Sequence, residues 1–304
     1  PWGAAIETLG RFRPDLRIVN LETSLTRSSA FDPGKHIHYR ADPRNVRMLT
    51  RAGVDCAILA NNHVMDWGET GLTDTLRVLD EAGIGHAGAG RSAQEAHAPA
   101  ALHPRVLVFG AVTEDAGAPR SWRAEGSGTG VFHLGRLDAD ALRTLIERVR
   151  ALRRPNDRVI VSLHWGGNWG YRIPEAQRRF ARALIDTELV DLVFGHSAHH
   201  RKAIEVYRDR LILYGAGDLL NDYEGIGGNE AYRDDLTLLY FPVLEAETGR
   251  LRSLAMAPFR VQRFRLESAS AEEAAWLAEV LTREGEPFAT RVLRSEEHTL
   301  VLDW

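Results

Sequence analysis

The stretch "DCAILANNHVMDWGETGLTDTLRVLDEAG", Asp55 to Gly83, decides how the fold is read. It opens on a short apolar run. Continuous aliphatic residues without strict alternation suit a strand covered on both faces. Asn61, Asn62 and His63 follow at once. A turn comes next, then a helical pattern, "TGLTDTLRVLDEAG", that stops at Gly83, a natural C-terminal residue. Side-chain amides and an imidazole crowded at a strand end are poor core material, so they are expected to hold something.

The same alternation extends on both sides. "LRIVNLE" (16–22), "RVLVFGAV" (105–112), "RVIVSLHW" (158–165) and "LVDLVFG" (189–195) read as strands rich in Val, Ile and Leu. "DPRNVRMLTRAG", ending at Gly53, reads as a helix. So does "DADALRTLIERVRALRR", which places Leu142, Leu145, Ile146, Val149 and Leu152 on one stripe. "PEAQRRFARALIDTE" opens on Pro174, favoured in a first turn. Repeated β-α units argue for an α/β layered domain.

After Arg201 the pattern changes. "KAIEVYRDRLILYGAG" predicts a hairpin turning at Asp209. Further antiparallel strands follow, with a turn near Thr248 and Gly249, then a helix over 271–285 and a last strand, "TLVLDW". The Gly/Ser/Pro-rich segment 113–130 predicts a long loop, of a length uncommon unless functional or disordered.

Composition excludes several classes. The chain has 304 residues, 44% hydrophobic and 26% charged, and can bury a sizeable core. A net charge of −4 and no basic stripe leave no electrostatic footprint for nucleic acid. Of the 38 basic residues only Lys35 and Lys202 are lysines. The single cysteine, Cys56, sits in an apolar run and excludes an internal disulfide; it is expected to be a small buried hydrophobe. No apolar run approaches the ~20 residues of a membrane-spanning helix.

Polar residues recur at strand C-terminal ends, where α/β sheets bind ligands. They are Asn20 and Glu22, then Asn61, Asn62 and His63, then His164, then His196 and His199. Each alone reads first as a cap or turn; four successive strand ends with the same chemistry point to one site. Imidazole, carboxylate and amide oxygen form a mixed N/O ligand set suited to Zn, Mn or Fe. Ligand histidines must be neutral and need their second ring nitrogen oriented. Asp66, Asp191 and Asp218 are candidates for that task, although Asp66 reads first as the N-cap of the following helix. His36, His38 and Arg40 read as one polar strand face. The "HIH" there lacks the eight βα units of an amidohydrolase barrel, and "GAGR" (88–91) is too short for a phosphate loop. Trp165, Trp169 and Tyr171 are expected to pack or to wall a cleft.

"IVNLETSLT", "ANNHVMDWGETGLTDTL", "SLHWG", "GHSAHH" and "LYGAGDLL" resemble the successive motifs of the CapA/PgsA family of poly-γ-glutamate capsule-synthesis proteins, themselves similar to calcineurin-like metallophosphatases. "KHIHYRADPRNVRMLTRAGVD" resembles the family's segment before its second helix. The resemblance covers most of residues 15–223. It implies a four-layer α-β-β-α metallophosphatase-like sandwich with an antiparallel C-terminal part, over residues 1–265, with 266–304 as a helix-strand extension. It also implies one or two divalent metals (Mn, Zn or Fe). By position, Glu22 matches the bridging acidic residue, Asn62 the asparagine ligand, His63 the histidine near the leaving group, and His164, His196 and His199 the later histidine ligands. Asn20, Asn61, Asp66, Asp218 and Arg40 fall beside these as supporting or substrate-facing residues, and Arg172 is a further candidate for neutralising an anion. Two departures stand out. The family's opening strand ends in a metal-binding Gly-Asp, and no such strand precedes residue 16; upstream residues beyond Pro1, or a site without that ligand, are the two alternatives. The family's Gly-Asn-Phe reads Gly217-Asp218-Leu219.

The function implied is metal-assisted hydrolysis of a phosphoester or of an amide or γ-glutamyl bond, on an anionic small molecule or polymer. The alternative is a non-catalytic accessory protein that binds a polyanionic polymer or its synthase. A homodimer is an assembly open to either. A cytoplasmic location is favoured for this chain, with an extracellular membrane-anchored one as the family's alternative.

Overall fold

The structure, a computed structural model, describes residues 1–224, 227–295 and 299–304. It is mixed α/β with several sheets, and its C-terminal part is antiparallel, as the sequence predicts. The chain divides into two units. One comprises Leu16–Gly167 and Arg179–Val193; the other comprises Pro1–Asp15, Asn168–Arg178 and Phe194–Trp304. Among the described residues no helix is long and apolar enough to cross a membrane.

In the first unit the strand Cys56–Ile58 lies between two parallel neighbours, Ile18–Asn20 and Gly85–Ala87. All three of its residues are fully buried, which explains the continuous apolar run. The register pairs Asn20 with Ile58 and Ile58 with Ala87, so the three strands finish level. Cys56 is buried as expected, and burial pushes its thiol up to about 12, leaving it unreactive. A second sheet is built on Val106–Thr113, with Arg158–His164 and His133–Gly135 parallel to it and Ala100–Leu102 antiparallel. His164 pairs with Val112 at the C-terminal edge.

The helix Gly68–Glu81 buries Leu72, Leu76 and Leu79 on one face. The helix Ala139–Leu152 starts at Asp138, whose carboxylate accepts from the backbone N–H groups of Asp140 and Ala141. Its stripe is narrower than predicted. Leu145, Ile146 and Val149 are buried, Leu142 is half-buried and Leu152, the last residue, is 46% exposed. The segment 113–130 is not a free loop either. It forms short helical turns at Glu114–Ala116 and Arg120–Trp122 and buries Ala116, Ala118, Trp122 and Ala124. Composition hid this because one tryptophan does most of the anchoring.

In the second unit Ile204–Tyr207 and Arg210–Leu213 form the predicted hairpin, with Arg208 and Asp209 at positive φ in its turn. An antiparallel sheet orders Leu236–Leu244, Leu251–Gln262, Leu300–Asp303 and Arg291–Arg294, with Arg265–Ser268 also on the long strand. The helix Ala271–Gly285 packs on the Arg291–Arg294 strand and matches its predicted bounds. An N-terminal helix, Ala5–Phe12, had no sequence signal. It is held by Phe12 stacked on Phe241 at 4.0 Å and by backbone bonds from Ala4 to Leu266 and from Leu266 to Pro1. Gly3 is required there, since a Cβ would fall 1.9 Å from the Leu266 carbonyl oxygen.

Candidate metal centre

Asn61 organises the turn that follows Cys56–Ile58. It is fully buried and all its amide groups are engaged. Its Oδ1 accepts from the backbone N–H groups of His63 and Val64, and its Nδ2 donates to Asn20 Oδ1 and to the Leu21 carbonyl. Asn20 in turn donates from Nδ2 to Glu22 Oε2 at 2.8 Å. The two amides thus form a relay that fixes the Glu22 carboxylate. Asn61 and Asn20 are braces, and Glu22 is what they aim.

Glu22, Asn62 and His164 come together. His164 is fully buried at the end of its strand, where its carbonyl accepts from Thr113 Oγ1. Its Nε2 lies 3.1 Å from Asn62 Oδ1 and 3.8 Å from Glu22 Oε1. A carboxylate oxygen, an amide oxygen and an imidazole nitrogen from three strand ends therefore face one another. This donor set fits a borderline divalent metal such as Zn, Mn or Fe.

His63 turns away from Asn62. Its Nδ1 lies 2.6 Å from Asp66 Oδ2, and its ring packs on Tyr39 with centroids 4.0 Å apart. Asp66 Oδ2 also accepts from the Tyr39 backbone N–H at 2.7 Å. The N-cap reading of Asp66 is overturned. The helix Gly68–Glu81 has Trp67 at its N-cap with no side-chain cap bond, because the Asp66 carboxylate faces back to His63 instead. Lys35 Nζ donates to the Asn62 carbonyl at 2.5 Å and lies 3.9 Å from Asp66 Oδ1.

The polar strand face predicted for His36, His38 and Arg40 does not form. Only Arg40–Ala41 is strand, paired with Ser24–Leu25. His38 leaves the line to bond its Nε2 to the Asp32 carbonyl and to pack edgewise on Phe31 and Trp67. Arg40 lies over the Trp67 ring at 4.2 Å and donates to the Ser28 carbonyl. Asp191 sits away from these groups: it pairs with Arg158 and accepts from the Val159 N–H at the start of that strand.

The second unit carries His196 and His199. His196 ends its strand, and burial pushes its imidazole down to about 3, so it is neutral. His199 Nδ1 is gripped by the Asp218 carboxylate at 3.0 and 3.1 Å, and Asn221 holds that carboxylate from Nδ2 at 2.8 Å. Asp218 therefore fixes the His199 ring, which answers the departure at Gly217-Asp218-Leu219. The exposed Arg172 meets Lys202 Nζ through its carbonyl. His200 escaped the sequence reading. It is buried against Trp169, Tyr171 and Tyr232, with its pKa lowered by burial to about 4. Nothing in "GHSAHH" separates it from His199 except the aromatic residues around it.

A carboxylate, an amide and an imidazole set at the C-terminal ends of parallel strands define the class: an α/β protein with a candidate ligand site where its strands end. Residues 1–223 match the family described as bacterial capsule synthesis protein PGA_cap, and the chain belongs to that family. It is 41% identical over 305 aligned residues, 99% of this chain and 80% of the relative, to a probable polyglutamine synthesis accessory protein of Mycobacterium tuberculosis. It is 28% identical to the capsule biosynthesis protein CapA of Bacillus anthracis, over 62% of this chain and 45% of the relative. It is 29% identical to the PGA biosynthesis protein CapA of Bacillus subtilis, over 62% of this chain and 48% of the relative. The chain thus spans about half the length of each CapA protein.

Proposed function

We propose that this chain is a metal-dependent hydrolase serving the synthesis of a glutamate polymer, with an anionic small molecule or polymer as substrate. The observation that carries the reading is the approach of Glu22, Asn62 and His164, with His63 and Asp66 beside them. Glu22, Asn62 and His164 would hold a divalent metal, with His196 and His199 as the further ligands that the motif order assigns. The metal, when bound, supplies Lewis acidity and an activated water.

The chain's own groups do the rest. Asp66 holds His63 at Nδ1, so the proton to be moved sits on Nε2. His63 gives that proton to the leaving atom, and Asp66 stabilises the imidazolium before the transfer. The bond cleaved is a phosphoester or an amide or γ-glutamyl bond.

The second reading is a non-catalytic accessory role. The description of the Mycobacterium tuberculosis relative as an accessory protein favours it. Metal analysis of the purified chain, with assays on phosphoesters and γ-glutamyl peptides, separates the two. Bound metal with turnover that chelation abolishes is expected. A metal-loaded chain inert across both substrate classes would sink the hydrolase and leave the accessory role.

A further inference from the structure

Only two of the 38 Lys and Arg residues are lysines, and one of them, Lys35, lies beside the proposed metal ligand Asn62. Everywhere on the surface the cation is arginine. Arginine's guanidinium is a planar fork with five donors, matched to two-pronged partners, whereas lysine's ammonium is a compact point charge. The Lys35 side chain is mostly buried, with its ammonium 5.4 Å from the centre of the Trp122 ring. Trp122 is itself fixed by donating from Nε1 to Asp32 Oδ2 at 2.8 Å. The ammonium meets a single carbonyl, that of Asn62, at 2.5 Å. That geometry suits a compact point charge on a flexible stem.

A second observation ties Lys35 to the histidine. Asp66 uses Oδ2 for His63 and for the Tyr39 N–H, whereas Oδ1 is buried with no hydrogen-bond partner among the described residues. The Lys35 ammonium lies 3.9 Å from that oxygen. A buried carboxylate oxygen without a hydrogen bond is costly unless a cation offsets it. One ammonium thus fixes the backbone of Asn62 and balances the carboxylate that aims His63. Burial lowers the pKa of Lys35, and the carboxylates of Asp66, Glu22 and Asp32 oppose that shift.

We propose that Lys35 is the positioning residue of this site, setting the Asn62 side chain toward the metal and the His63 ring toward the leaving group through the turn that both share. This rests on the metal-site reading above. It deepens that reading by naming the group that makes two adjacent side chains diverge.

The test is a double-mutant cycle on the full chain, with Mn²⁺ affinity read by titration calorimetry and folding by thermal melt. K35M should lower Mn²⁺ affinity by about ten- to a hundredfold, the usual loss when a group that orients a ligand is removed. In the N62A background the same change should cost little, because the ligand it positions is gone. K35R keeps the charge but brings a longer side chain and a broader head to this mostly buried position, and should fail to restore wild-type affinity; it also carries the test if K35M does not fold. Equal losses from K35M in both backgrounds would mean general destabilisation and would overturn the proposal. Wild-type affinity in K35M or in K35R would overturn it as well. A wild-type chain that binds no Mn²⁺, Zn²⁺ or Fe²⁺ would instead bring down the metal reading and this proposal together, so the two failures are distinguishable.

Discussion

Asn62 and His63 are neighbours in sequence, and on an extended strand their side chains would point to opposite faces. Here the strand has already ended at Ile58, and a bend carries residues 61–67. That bend lets Asn62 meet His164 while His63 reaches Asp66 three residues on. The two substitutions should therefore differ. Asn62→Ala should weaken metal binding. His63→Ala should keep the metal and lose turnover by about 10²–10⁴-fold, the loss expected for a general acid. The defect should shrink on an activated aryl ester, whose leaving group needs no proton. Metal content and turnover of both variants check this; metal loss in His63→Ala would make His63 a ligand or a prop. Asn61→Ala belongs to a different class. It strips partners from four groups at a buried position, each worth about 1–3 kcal/mol when left unsatisfied, and should lower stability more than either neighbour. The residue types in "NNH" were legible as a site, but the division of labour was not, because it depends on which face each side chain meets after the bend. Asp66 shows the same limit: its spacing allows a helix cap, and only the nearby imidazole and the Tyr39 N–H decide otherwise.

Elements were legible where local chemistry and burial agree. The helix Ala271–Gly285 carries a full capping box, with Ser270 Oγ accepting from the Glu273 N–H and the Glu273 carboxylate accepting from the Ser270 N–H. Ser270→Ala should cost ~1 kcal/mol, the usual loss for a capping hydroxyl, read as a lower urea midpoint. Glu273→Ala should cost more. The same carboxylate also pairs with Arg233 and Arg260 at 3.2 Å each, so its removal takes one of two carboxylate partners from each cation, leaving Asp235, together with the cap. Equal losses for the two variants would show that the arginine pairs contribute nothing. Elements were missed where neighbours, not sequence, define them. The helix Ala5–Phe12 is only two turns long and depends on Phe241 and Leu266. The strand Gly85–Ala87 has three residues, one of them glycine, and exists because Cys56–Ile58 presents an edge to it. Isolated segments of that length are unstable in water, so a local pattern cannot announce them.

At the scale of the whole molecule, the buried aliphatic residues lie in both units and owe nothing to a metal. Chelation should therefore abolish turnover and leave the far-ultraviolet circular dichroism unchanged; a collapse of the dichroism would show that the site holds the fold together. Acid should act differently, through buried imidazoles. His97 packs on Phe132 with ring centroids 4.1 Å apart, and its buried Nδ1 has no hydrogen bond among the described residues. Burial, helped by Arg148 and Arg123, pushes its pKa down from 6.5 to about 4. The sign follows from linkage. Between those two values the unfolded chain binds the proton and the folded chain does not, so stability falls as pH drops through that window and levels off below it. His196 and His200, lowered to about 3 and about 4 by burial, act in the same direction. His97→Phe keeps an aromatic ring against Phe132 and removes one of these titrations. Urea midpoints measured from pH 7.5 down to about 4.5 should fall for both proteins, with a shallower slope in the variant. Parallel curves would mean that His97 takes up its proton without unfolding, in which case its burial does not control acid stability.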